Sequence, residues 1–582
     1  MNSMSLYRSV RQAVLLILGL LVLTACGGGS GSASPGVSVA DVPITDGGGT
    51  GGGNTGGGTG GGTGGGGQTN PSTIPTTLSA VITDSGNTAS TAFAGLPIFT
   101  IDVTALAGGE LDPTGLVLGN DAIYQISGGG LRITAPSAGA ACQFNLEPGA
   151  ILVGAGATDF LVITQGCQLV AEGTSDQPII FTALDEVTGN LEASDRGLWG
   201  GIVINGLAPI NDCPAGEIGG TAGCVKEGEA NSGLFGGDDP NDNSGILRYI
   251  SVRYGGSNVD PQNQLNGIAF QAVGDATVVE YVQVHNNLDD GIEFFGGTVN
   301  AKYVVLTGND DDSLDWTDGW VGNLQYLYIE QTDGGDNAIE ADNRSDEEDA
   351  LPRSNPTIAN MTVIGKSDER ALRFRAGTAV TVYNSFVDGS ERCIRVDSTS
   401  RDFLGAASDP AITISGVSFA CAQTHEGDDD GAVAAYLSSA TNVSQSGEQV
   451  DPIIIADTFF ENTDYLGAFG PENWADGWTL AGSVSQTTQP DFGCPDGTTT
   501  SSRTIDGQRI CQLSGDITTD LLLTSNNLYE LVGKVTIGGD NLDSADLSIQ
   551  AGTTVFGGTD VDFLVISRGS RILANGTRTA PV

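Results

Sequence analysis

Histidine is almost missing from this 582-residue chain, with only His285 and His425, so His-rich metal sites are excluded and a Ser-His-Asp triad has few candidates. Positive charge is scarce as well: 23 Lys+Arg stand against 71 Asp+Glu, for a formal net charge of −48. A polymer this acidic repels nucleic acid and anionic headgroups, leaving cations, neutral glycans and basic protein surfaces as partners. There is no Cys-x-x-Cys, which disfavours thiolate zinc sites and thioredoxin-like chemistry. A Gly-x-x-x-x-Gly-Lys-Ser/Thr loop and a catalytic His-Arg-Asp sequence are also missing, so nucleotide-binding and kinase readings fail. From about residue 130 to 465 no helical period is sustained. Short β-branched and aromatic runs are broken there by Gly, Asn and Asp, the signature of many short strands.

The N-terminus reads as an address. Arg8 and Arg11 precede an apolar run at 13–23, too short to span a bilayer comfortably, which ends in Leu23-Thr24-Ala25-Cys26. That tetrapeptide resembles the lipobox of bacterial lipoproteins, in which the cysteine becomes the lipidated first mature residue. The resemblance implies a signal peptide at 1–25, lipidation of Cys26 and anchoring in the outer membrane of a Gram-negative cell, on the cell surface. Residues 26–75 are rich in Gly, Thr and Ser with little to bury, and form a flexible tether. About 45 such residues reach on the order of 35–40 Å.

Setting Cys26 aside leaves Cys142, Cys167, Cys213, Cys224, Cys393, Cys421, Cys494 and Cys511, an even number in an oxidising compartment. Four disulfides are expected, paired sequentially as the simplest of the 105 pairings open to eight cysteines. An internal repeat supports the first pair. Residues 144–179 align without gaps to 547–582, and Cys142 and Cys167 become Ala545 and Ser570. Joint loss is what a bonded pair predicts. Residues 76–493 are expected to form one β-helix domain and 494–582 the start of a second β-helix repeat, cut short at Val582, with a terminal half-repeat serving as a cap as the competing explanation.

Six segments share one pattern: Leu265-Asn-Gly-Ile-Ala-Phe270, Asp289-Asp-Gly-Ile-Glu-Phe294, Asp311-Asp-Ser-Leu-Asp-Trp316, Asp336-Asn-Ala-Ile-Glu-Ala341, Glu369-Arg-Ala-Leu-Arg-Phe374 and Glu391-Arg-Cys-Ile-Arg-Val396. Between them a second strand recurs, beginning at Tyr249, Tyr281, Tyr303 and Tyr326. Steps of 20 to 25 residues with several short strands per step are what a parallel β-helix requires, and propeller blades are longer. One step of 33 residues holds the charged insertion at 342–356. The expected fold is all-β, a right-handed parallel β-helix solenoid behind the signal and tether. Gly197-Leu-Trp-Gly-Gly-Ile-Val-Ile-Asn-Gly206, Asp290-Gly-Ile-Glu-Phe-Phe-Gly-Gly297 and Asp311-Asp-Ser-Leu-Asp-Trp-Thr-Asp-Gly-Trp320 resemble a family of largely uncharacterised β-helix outer-membrane lipoproteins of Gram-negative bacteria. The resemblance implies fold and surface location, and carries no activity with it.

Strand alternation sends Ile268, Ile292, Leu314, Ile339, Leu372 and Ile394 inward, each with the residue two further on. The intervening column, facing outward, reads Ala269, Glu293, Asp315, Glu340, Arg373, Arg395. Three positions upstream of the inward column a second ladder reads Asp289, Asp311, Asp336, Glu369, Glu391, with Asp290, Asp312, Asn337, Arg370 and Arg392 beside it. Coils lie about 4.7–4.9 Å apart, so like charges repel unless something intervenes. In the last two coils arginines can neutralise the acids; in the first three no cation stands in these columns. That deficit points to a metal, and an oxygen-only donor set points to Ca²⁺. Asp289, Asp290, Asp311, Asp312, Asp315 and Asp336 are the candidate ligands, and a solvated acidic face on an acidic protein is the alternative. The spacing is neither that of an EF-hand nor that of a Gly-Gly-x-Gly-x-Asp repeat.

Two functions compete. In the first, a non-catalytic, Ca²⁺-stabilised module binds a glycan, a matrix component or a partner outer-membrane protein, with Trp316 and Trp320 offering indole faces to sugars. Packing under a loop is the plainer role for those indoles. In the second, the chain is a polysaccharide lyase or glycoside hydrolase using Glu293, Asp315, Glu340, Arg373 and Arg395. Stacked carboxylates meet a hydrolase's spacing almost automatically, which makes that match weak.

Overall fold

The computed structural model describes residues 71–582, apart from short segments at 261–262, 333–334, 367, 398–411, 428–429, 441, 471–472, 486–489, 491–492, 506, 540–542, 575 and 577–580. The signal sequence, Cys26 and nearly all of the tether lie outside the described residues.

The coils stack as the period predicts. A sixteen-stranded and an eleven-stranded sheet run side by side, parallel except at the first hairpin, Ile82–Thr88 with Pro97–Asp102. In the smaller sheet the strands Ile268–Gln271, Ile292–Phe295, Leu314–Thr317, Asn337–Ala341, Arg370–Phe374 and Arg392–Val396 pair in register. Side chains therefore line up in columns from coil to coil. Ile268, Ile292, Leu314, Ile339, Leu372 and Ile394 fill the interior, with Phe270, Phe294, Trp316, Ala341, Phe374 and Val396 behind them. Every one of these is buried, so each coil seals its neighbour's core.

The long strands of the other sheet bend at one residue held at positive φ. That residue is Tyr249, Tyr281, Tyr303 and Tyr326 in four successive coils, then Asn360, Asn384, Gly416 and Asn442. Asn and Gly take this conformation readily, whereas for Tyr it costs roughly 1–2 kcal/mol. The four rings stack at centroid distances of 4.2, 4.3 and 4.8 Å, and such pairs return about 0.5–1.5 kcal/mol each. Trp474 and Trp478 close the stack edge-on. They belong to a strap, residues 453–470 and 473–485, laid across this face. Gln283, Gln325 and Asn384 accept backbone N–H groups from Leu480, Glu461 and Ile453 respectively.

The disulfides are Cys142–Cys167, Cys213–Cys224, Cys393–Cys421 and Cys494–Cys511, the sequential set. Where the internal repeat replaces the first pair, Ala545 N–H donates to Ser570 Oγ at 3.0 Å. A hydrogen bond thus takes over at the position of the covalent link. Residues 499–574 carry their own two sheets, and a core of Cys511, Leu513, Tyr529, Val535 and Leu547.

Candidate metal centre

Register brings the acidic columns together. Glu293 pairs with Asp315 and Asp315 with Glu340, while Asp290, Asp312 and Asn337 occupy equivalent places three residues earlier. Four groups of carboxylates have oxygens within 4.8 Å of one another: Asp289/Asp290/Asp311, Asp290/Glu293/Asp315, Asp311/Asp312/Asp336 and Asp312/Asp315/Glu340. All six residues expected as ligands fall in these groups, joined by Glu293 and Glu340.

The row is sheltered as well as crowded. Asp290, Asp312 and Glu340 are buried, and Glu293 and Asp315 are half-buried. Burial, reinforced by neighbouring carboxylates, pushes Asp290, Glu293, Asp312 and Asp315 well above the usual carboxylate range. Backbone donors compensate little: Asp312 N–H donates to Asp290 Oδ1 at 3.0 Å and Asn337 N–H to Asp312 Oδ1 at 2.7 Å. Among the described residues, arginines reach only the margin of the row. Arg373 and Arg375 each bind Glu340 at 2.7 Å, and Arg370 stands 3.8 Å from Asp336.

Two asparagines bound the row. Asn266 Nδ2 donates to Glu293 Oε2 at 2.8 Å and Glu229 Oε2 at 3.2 Å. Asn337 Nδ2 donates to Asp312 Oδ1 at 2.8 Å, with Glu340 Oε1 at 3.5 Å. Both residues are at most 1% exposed, and the Oδ1 of each lacks a hydrogen-bond partner. A buried carbonyl oxygen without a donor is costly, and a cation satisfies it. Clustered carboxylates with a buried amide at each end make an oxygen-rich set that fits a hard divalent ion such as Ca²⁺.

The expected catalytic and sugar-binding groups fare differently. Arg373 also binds Asp397 at 3.2 Å, and Arg395 holds Asp397 at 2.6 Å, so both guanidiniums are engaged by acids. Trp316 and Trp320 are not surface platforms: both are fully buried. Trp316 belongs to the inward column behind Leu314, and its Nε1–H donates to Thr378 Oγ1 at 3.0 Å. Trp320 stacks on Phe294 at 4.0 Å and donates to the Val299 carbonyl. Ala269, expected outward, is buried too. The insertion at 206–240 lays Ala230 over Val203 and Ala269.

That insertion supplies the residues the repeat could not reveal. Glu229 reaches Asn266, and burial together with Asp289 raises its carboxyl to about 8. Lys226 holds Asp212 and Asp318, clamping the insertion beside the row. Nothing in residues 206–240 repeats, so no column pointed to Glu229 or Lys226. Asn266, by contrast, stands in the aligned position before Asp290 and was findable.

Coils in register, a packed interior and an outward row of acids define a parallel β-helix protein with a candidate cation site. The pectate-lyase-like β-helix domain family matches residues 113–479 and 515–582, and the chain belongs to it. No curated protein and no solved structure matches the chain.

Proposed function

We propose that the chain is a lipid-anchored, non-catalytic β-helix at the outer membrane of a Gram-negative cell, stiffened by Ca²⁺ in the carboxylate row and binding a glycan, matrix component or partner membrane protein. The observation that carries the calcium reading is the sheltered row itself: carboxylates within 4.8 Å, flanked by buried amide oxygens with no donor. Burial of Trp316 and Trp320 moves any glycan contact off those indoles and onto the polar exterior. Lipid anchoring rests on the Leu23-Thr24-Ala25-Cys26 sequence. The test is unfolding of the full chain in EDTA and in excess Ca²⁺. A calcium-dependent rise in the midpoint, diminished on substitution of Asp311 and Asp312 by Ala, is the expected result, because a ligand of the native state stabilises it by mass action. An unchanged midpoint defeats the calcium reading. Cys26→Ser should abolish palmitate incorporation and release the protein from membranes.

The family's name keeps a lyase or hydrolase as the second reading. Against it stand the ion pairs that occupy Arg373 and Arg395, and carboxylate spacing set by strand separation rather than by a substrate. A polysaccharide panel read for unsaturated products and reducing ends decides between them. Turnover lost in Arg373→Ala would establish the enzyme.

A further inference from the structure

The four carboxylate groups are not four separate sites. They tile two rows across two gaps between coils, and neighbouring groups share members: Asp315 belongs to both inner groups, Asp290/Glu293/Asp315 and Asp312/Asp315/Glu340. It is the middle residue of its column, paired with Glu293 on one side and Glu340 on the other. We infer that the inner row is a binuclear divalent-cation centre, with Asp315 bridging two Ca²⁺ ions in successive gaps. The inference rests on the calcium reading above and adds its stoichiometry and its bridging ligand.

Three features of the row set the number at two. The first is length. In the outward column Ala269 precedes Glu293 and Arg373 follows Glu340, so the acids span two gaps and no more. The second is the ends. The adjoining column reads Asn266, Asp290, Asp312, Asn337, with one buried, unpartnered Oδ1 at each extremity. Each amide now turns its Nδ2 to the carboxylates. Half a turn about the Cβ–Cγ bond exchanges nitrogen for oxygen, which favours the site only when a cation lies there. Turned in this way, each oxygen meets the ion in its own gap, so two ions engage both amides and one ion engages only one. The third is charge. Asp290, Glu293, Asp312, Asp315 and Glu340 carry five negative charges when ionised; Arg373 and Arg375, which engage Glu340, are each balanced by a second acid outside the row, Asp397 and Asp342. A single dication leaves most of that charge facing itself across a strand spacing of about 4.8 Å. Two dications nearly cancel it, and the bridging carboxylate places one oxygen on each ion and screens them from each other. Three carboxylates, some bidentate, and an amide oxygen reach the six to eight donors Ca²⁺ takes.

The test counts calcium on the full chain by equilibrium dialysis with radioactive Ca²⁺, for wild type, Asp315→Asn, Glu293→Gln and Asp311→Asn. Asp315→Asn, nearly isosteric and one charge fewer, is expected to lower the count by two. Glu293→Gln, which belongs to one inner group, should lower it by one, and Asp311→Asn, an outer-row change, should leave both inner ions in place. Loss of a single ion from Asp315→Asn overturns the binuclear centre. An unchanged count in Asp315→Asn beside a calcium-binding wild type places the ions elsewhere and overturns this inference alone. A wild type that binds none overturns the calcium reading with it. Near-ultraviolet circular dichroism of the buried tryptophans verifies the fold of each variant, so a misfolded protein is not scored as a lost site.

Discussion

Asp315→Asn should stabilise the protein without metal and leave it less stable than wild type with metal. In the ion-free chain Asp315 faces Glu293 and Glu340 in adjacent coils. At about 4.8 Å and an effective dielectric of roughly 20, each fully charged neighbour costs about 3.5 kcal/mol. The row avoids that full cost by keeping protons, and Arg373 and Arg375 offset part of the Glu340 contribution. The relief available to the variant is therefore about 1–3 kcal/mol at about pH 8. The pH dependence follows from linkage. Because folding raises these carboxyl pKa values, the folded chain keeps protons that the unfolded chain releases. That stability is complete below the unfolded carboxyl range near pH 4 and is lost as pH rises through the folded values. Metal-free wild type should weaken from mildly acidic to alkaline pH, and Asp315→Asn should weaken less. Calcium reverses the order. At a hundredfold excess over Kd each ion adds about 2.7 kcal/mol, and the variant forfeits that gain for both inner ions. Urea unfolding followed by tryptophan fluorescence, in EDTA and in excess Ca²⁺, reads both arms. An Asp315→Asn chain less stable than wild type in EDTA, or equal curves in calcium, would refute the electrostatic argument.

Replacing Cys142 and Cys167 by Ala and Ser, the residues at 545 and 570, should cost about 3 kcal/mol for a 25-residue separation, read by the same unfolding curves. A chain that then fails to fold would show that the Ala545–Ser570 hydrogen bond is no model for the first copy. Trp316→Ala should cost about 3–5 kcal/mol, as for a fully buried indole, and remove emission shielded from iodide. Unchanged stability would return that tryptophan to the surface. Burial, with Arg253 and Arg196 pushing the same way, pulls His285 down to about 3. Its ring should remain neutral by nitrogen NMR at about pH 5, and His285→Asn should flatten the loss of stability that begins as pH falls below the unfolded value near 6.5.

The fold was legible because a β-helix writes its contacts into its period. Register pairs Ile292 with Leu314 and Leu314 with Ile339, so aligning six segments of sequence already stacked Glu293, Asp315 and Glu340 in space. The tryptophans show where two sequence signals disagreed. Alternation from Leu314 sends Trp316 inward, while Asp318-Gly319 between Trp316 and Trp320 is a turn dipeptide, which favours exposed indoles. Packing sided with alternation, and Trp320, beyond the strand's end, was drawn in by Phe294. Contacts made by insertions carry no such periodic trace: Glu229 meets Asn266 across 37 residues, and Gln283 receives the strap's Leu480 across 197.

That division separates two physical questions about the site. The repeat decides which acids stand one strand spacing apart, and this alone would give a solvated ladder whose charges water screens. Chain that does not repeat adds cover at one end of the row. Ala230 covers Ala269, Lys226 ties the insertion to Asp318, and Glu229 brings a further carboxylate to the end of the row. A column of acids on an open face repels weakly, and its occupant exchanges with solvent. Where burial removes that screening, as at Asp290, Asp312 and Glu340, the same column must be protonated or filled. The insertion at 206–240, though it contributes none of the inner-row carboxylates, therefore closes one end of the candidate cation site.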